Sequence, residues 1–139
     1  MVKALFIAGV LSAAALFATA GGSSVKKPEA AIIPVSIDIA RQLVGKKFEY
    51  NYGIDTYIVT FKSDRVLHWL GISGGDKGNH ADENYTIQKI SDNIFFVAWI
   101  EKSGWKVAQV LDFNTMQVKC YWFFDGKLTP VNGTIKALD

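Results

Sequence analysis

Residues 93–124 read NIFFVAWIEKSGWKVAQVLDFNTMQVKCYWFF. Three runs rich in β-branched and aromatic residues, NIFFVAWIE, WKVAQVLDF and MQVKCYWFF, are separated only by Lys102-Ser103-Gly104 and Asn114-Thr115. Side chains alternate between the two faces of a strand, so Phe95, Val97, Trp99 and Glu101 share one face of the first run. Strand-length runs joined by connections too short for a crossover helix predict antiparallel hairpins.

The same texture continues on both sides. KKFEYNY, TYIVTFK and RVLHWLG follow Gly45, punctuated by Gly53-Ile54-Asp55 and Ser63-Asp64; NYTIQKI precedes Asn93, and KLTPVNGTIK follows Phe124. Pro130 has no N–H to give a ladder, so the last strand is expected to be broken, bulged or at an edge. GISGGDKGNHADE, from Gly71 to Glu83, lacks apolar period and strand formers and is read as one longer surface loop. In SIDIARQLVG, Ile39 and Leu43 lie four apart and Gly45 offers a stop, which predicts a short helix before the first strand.

Seven or eight evenly spaced strands make the fold class all-β. Bulky or aromatic residues on one strand face and polar ones on the other favour a small antiparallel barrel of about eight strands, preceded by the short helix, over a sandwich. A barrel of this size has room for side chains and one small ligand.

The opening MVKALFIAGVLSAAALFATA has Lys3, an apolar stretch and Ala18-Thr19-Ala20, the pattern of a signal peptide over residues 1–20. Its apolar run is shorter than the ~20 residues that span a bilayer, so no stable membrane anchor is expected after its removal. The location is then periplasmic or secreted. Residues 21–35 read as a flexible N-terminal tail, and residues 36–139 as one barrel domain.

Fifteen Lys and Arg stand against thirteen Asp and Glu, a balance that argues against nucleic acid or an anionic membrane as partner. Cys120 is the sole cysteine, so no intrachain disulfide can form, and in VKCYWFF it reads as a small buried hydrophobe. His68 and His80 fall in no recognised metal-ligand spacing, and SGGDKG matches neither a phosphate loop nor a dinucleotide fingerprint. No metal and no cofactor are expected. The partner expected is a small-molecule ligand, with a homodimer left open.

Candidate chemistry starts at FEYNY, residues 48–52, where Phe48, Tyr50 and Tyr52 share a face. If that face lines the interior, both hydroxyls need partners in the core or in a ligand. Glu101 ends the aromatic face that carries Trp99, either at a wet rim or inside with its pKa raised. Together Tyr50, Tyr52, Trp99 and Glu101 form a candidate site for a flat, aromatic or carboxylate-bearing molecule. Trp69, Trp105 and Trp122 read as core; exposed aromatic residues would instead point to an exported interaction or inhibitor barrel.

LVGKKFEYNYGIDTYIVTFKSD (43–64) resembles the opening of the phenolic acid decarboxylases, in which two active-site tyrosines follow a glycine by five and seven residues; from Gly45 these are Tyr50 and Tyr52. IFFVAWIEKSGWKVAQVLDFNTMQVKCYWFF (94–124) is similar to that family's Trp-x-Glu, a turn, and two strands ending in paired phenylalanines. The chain equally resembles MoaF-like domains, small barrels of the same calycin, lipocalin-like type. The decarboxylase resemblance implies non-oxidative loss of carbon dioxide from a phenolic acid, with Tyr50 and Tyr52 holding the carboxylate and Glu101 taking part in proton transfer. It also implies a cationic partner for that carboxylate within SGGDKGN (73–79), where the family has an arginine and this chain has Lys77.

Overall fold

The computed structural model describes residues 37–139. The expected signal peptide and N-terminal tail lie outside the described residues. In chain order come helix α1 (Ile37–Arg41) and strands β1 (Lys47–Asn51), β2 (Thr56–Phe61), β3 (Val66–Ser73), β4 (His80–Ser91), β5 (Ile94–Ile100), β6 (Lys106–Asp112), β7 (Gln117–Phe124) and β8 (Lys127–Leu138). Each strand pairs antiparallel with its sequence neighbours, and β8 returns to β1 to close an eight-stranded barrel. Closure gives every strand two neighbours and removes the open edges that a sheet of this size would expose.

Local chemistry explains the meander. Between β7 and β8, Phe124 pairs with Lys127, and the two residues of the turn, Asp125 and Gly126, have φ of 47° and 73°. This is the Asp-Gly turn whose twist matches that of a hairpin. Along β5 the residues alternate as expected, with Phe95, Val97 and Trp99 buried.

The long loop expected over Gly71 to Glu83 is shorter. β3 runs through Ser73 and β4 begins at His80, with Leu70 opposite His80, Trp69 opposite Ala81, His68 opposite Asp82 and Leu67 opposite Glu83. Cross-strand polar bonds replace the missing apolar pattern: Asp82 accepts from Lys62 Nζ at 2.7 Å and pairs with His68 Nδ1 at 2.7 Å. The connection folds tightly back on β3. Gly71 N–H donates to the Asn79 carbonyl at 2.8 Å, and a Cβ on Gly71 would collide with the Asp76 carbonyl oxygen.

Pro130 sits opposite Tyr121 of β7, whereas the β8 pairing with β1 begins only at Thr134. Its missing N–H therefore falls in the half of β8 that has one neighbour, a local edge within a closed barrel. At Gly133 the end of β1 comes so close that a Cβ would collide with the Asn51 carbonyl oxygen.

The interior divides along the barrel axis. At one end Phe48, Phe61, Tyr85, Ile87, Phe95, Leu111 and Val118 pack with Ala40 and Leu43 from the α1 region in one buried cluster. Rings meet edge to face, as for Phe61 and Tyr85 at 5.2 Å. α1 thus plugs this end. The other end is built differently, and it holds the candidate site.

Candidate functional site

Away from the plugged end, inward positions on several strands change from purely apolar side chains to tyrosine and tryptophan. β1 supplies Tyr50, followed by Tyr52; β2 supplies Tyr57, β3 Trp69, β5 Trp99 and β7 Trp122. They surround a cavity of about 600 Å³, within the ~300–1,000 Å³ usual for small-molecule sites. Trp105, from the turn between β5 and β6, also lines it, so all four tryptophans of the chain face one space.

One wall is a continuous series of edge-to-face rings. Trp69 meets Tyr57 at 6.0 Å, Tyr57 meets Trp122 at 6.3 Å, and Trp122 meets Tyr52 at 5.4 Å. Rings held this way on three strands and a turn keep their shape without a ligand.

The polar groups fall into two sets. Deep in the barrel, Tyr52 donates its hydroxyl to Gln109 Oε1 at 3.2 Å, and Gln109 is itself fully buried on β6. The Tyr50 hydroxyl, the Trp69 and Trp99 indole N–H groups and Gln109 Nε2 are buried without a hydrogen-bond partner. Tyr50 is 1% exposed, and burial followed by the nearby Cys120 thiol drives its pKa far above the ordinary phenol value, with Gln109 close enough to offset a little. Both tyrosines therefore stay neutral, able to donate hydrogen bonds rather than accept protons. Each unpartnered donor carries a desolvation cost of ~1–3 kcal/mol, which a bound acceptor would relieve.

The second set stands toward the mouth. Glu101 follows β5 and is half-buried; Ser103 donates to its Oε2 at 2.9 Å. Burial raises its pKa, Ser103 and Trp99 hold it down in part, and the Glu83 and Asp76 carboxylates push it up further. Glu83, on the inner face of β4, is only 4% exposed and accepts from the Lys102 backbone N–H at 3.2 Å. Asp76 accepts from the Tyr57 hydroxyl at 2.7 Å and from Asn79 Nδ2 at 3.0 Å, which fixes the β3–β4 turn over the cavity.

A family model described as MoaF-like matches residues 44–136. The chain belongs to the MoaF-like family. The fold of this MoaF-like barrel is also that of a crystal structure from Burkholderia vietnamiensis, provisionally described as a β-lactamase, with a TM-score of 0.66 and 21% identity over 69% of this chain and 95% of that one. No curated protein gives a significant match.

Of the residues singled out from the sequence, Tyr50, Tyr52, Trp99 and Glu101 all line the MoaF-like barrel's cavity. Lys77 is exposed in the β3–β4 turn and is not part of the lining, although its neighbours Asp76 and Gly78 are. Trp69, Trp105 and Trp122, read as core, belong to the cavity wall. Glu83 and Asp76 also line the cavity and Gln109 backs it, none of them among the site candidates read from strand alternation. For Glu83 a signal existed: Glu83, Tyr85 and Ile87 form a period-two series, which reading the strand only from Asn84 cut short. The outer wall carries exposed Ile100, Tyr121 and Leu128.

Proposed function

We propose that this MoaF-like barrel binds a small aromatic molecule in the cavity between Tyr50, Tyr57, Trp69, Trp99 and Trp122. The observation that carries the reading is the concentration of every tryptophan around one 600 Å³ space whose wall contains buried, unpartnered hydrogen-bond donors. A closed barrel needing only stability would fill this end as it fills the α1 end, because an unfilled interior forfeits packing. The leader-like residues 1–20 support export, so that the ligand is met outside the cytoplasm. Cell fractionation with an intact-mass measurement tests this; protein retained in the cytoplasm with its N-terminus at Met1 would refute it.

Binding is tested by titrating purified protein with small aromatic probes while following indole emission. Saturable quenching that shrinks in Trp99→Phe protein supports the reading. Emission unmoved by every probe counts against it.

Glu101 favours a second reading, a phenolic acid decarboxylase. Its carboxyl is half-buried, raised in pKa and in the same cavity as two neutral phenols. In that role the substrate carboxylate leaves as carbon dioxide, the bonding pair stays on the conjugated carbon, and Glu101 in its acid form protonates that carbon. A 4-hydroxycinnamate spectrum followed over time decides: falling acrylate absorbance, lost in Glu101→Gln, supports turnover, and a constant spectrum removes it.

A further inference from the structure

The charge of the mouth does not suit the carboxylate-bearing ligand. Three carboxylates, Asp76, Glu83 and Glu101, line the cavity against one lysine, Lys102, and the exposed His80. Lys77, the cation expected to meet a carboxylate, stands outside the lining. Both arginines lie elsewhere as well, Arg41 in α1 and Arg65 before β3. A ligand anion placed here would face like charge in a partly desolvated site, which is strongly unfavourable.

Two further observations point to the opposite sign. Trp99 is 8% exposed and stands beside Glu101, where it and Ser103 offset part of the rise in pKa that burial imposes on that carboxyl. The carboxylates are thus backed from the wall, with Ser103 donating to Glu101 and the Lys102 N–H to Glu83, while no lining arginine neutralises them. Among the described residues they do not converge as a group able to hold a metal ion. Trp69, Trp99, Trp105 and Trp122 line the same space, and any indole face turned to it would attract an organic cation.

We propose that the cavity selects organic cations: an ammonium group held at the mouth among Asp76, Glu83 and Glu101, with an aromatic or alkyl body inserted between the tryptophans. This rests on the small-molecule reading and decides the sign of the ligand's charge. Aromatic cages with carboxylates at one side are the physical means by which ammonium groups are bound without a rigid hydrogen-bond pattern.

The test uses three probes of one shape, 2-phenylethylammonium, 2-phenylethanol and 3-phenylpropanoate, titrated calorimetrically into purified protein near neutral pH. The cation is expected to bind at least about tenfold more tightly than either partner, the scale of one desolvated charge contact. Glu101→Gln should remove most of that preference, and Lys102→Ala, which leaves the carboxylates in place, should increase it. Equal or tighter binding of the alcohol or the carboxylate would overturn the cation assignment and leave the aromatic-ligand reading standing. Absence of binding by all three would overturn both.

Discussion

Tyr52 donates its hydroxyl to Gln109 Oε1 at 3.2 Å inside the barrel, whereas Tyr50, two residues before it on the same face, has a buried hydroxyl with no partner. The FEYNY tyrosines therefore differ in kind. One belongs to the scaffold and the other is free to meet a ligand.

Their phenylalanine variants should separate these roles. Tyr52→Phe leaves the buried Gln109 amide oxygen unpaired and should lower stability by ~1–3 kcal/mol. Tyr50→Phe removes a hydroxyl that has no bond to lose, so its stability should stay within ~1 kcal/mol of the parent while ligand affinity falls. Urea unfolding of both variants, with a binding titration on the second, checks the pair.

Glu101 gives a pH dependence with a definite sign. Burial, reinforced by Glu83 and Asp76, raises its folded-state pKa above the ordinary 4.5, with Ser103 and Trp99 offsetting part of the rise. The folded protein then holds a proton that the unfolded chain releases, so Glu101's contribution is fully present below the unfolded pKa and is lost as pH rises through the folded one. Relative to Glu101→Gln, the parent should lose stability as pH climbs from about 4.5 toward neutrality. Paired denaturation curves across that range would show it; an unchanging difference would mean that Glu101 is fully solvated.

Cation binding should move the other way over the same range. Deprotonation of Glu101, facing Glu83 and Asp76 with Lys102 and His80 also in the lining, adds negative charge to the mouth. Affinity for 2-phenylethylammonium should therefore strengthen with rising pH through the carboxylate range, and the pH response should weaken in Glu101→Gln.

Gly71 and Gly133 carry the close approaches that shape the open end. A methyl at Gly71 meets the Asp76 carbonyl oxygen and one at Gly133 meets the Asn51 carbonyl oxygen, both backbone atoms that cannot swing aside. Each Gly→Ala variant should cost ~1–3 kcal/mol. Gly71→Ala should in addition displace the turn that brings Asp76 to Tyr57, weakening ligand binding more than Gly133→Ala does.

The barrel was largely legible because its signal is local. Period-two runs such as NIFFVAWIE and two-residue connections such as Asp125-Gly126 specify hairpins without long-range information. The start of β4 was hidden for the complementary reason: His80, Ala81, Asp82 and Glu83 become a strand through pairing with β3 and through the Lys62 and His68 contacts to Asp82, none of which is a property of HADE itself. Tyr50, Tyr52, Trp99 and Glu101 could be placed on inward faces by alternation. That Trp69, Trp105 and Trp122 join them, and that Glu83 and Asp76 gather beside Glu101, depends on closure of the barrel, which brings residues distant in sequence around one space.

The central claim, that this end of the barrel is a binding site rather than an imperfectly filled core, is tested most directly through its tryptophans. In ¹⁵N-labelled protein the four indole N–H resonances can be followed while 2-phenylethylammonium is added. Saturable shifts of the Trp69 and Trp99 signals, with the backbone signals of Phe48, Ile87 and Leu111 at the α1 end unmoved, are the predicted result. Indole signals that stay in place with this probe and with 2-phenylethanol and 3-phenylpropanoate alike, or shifts confined to Tyr121 and Leu128 on the outer wall, would contradict it.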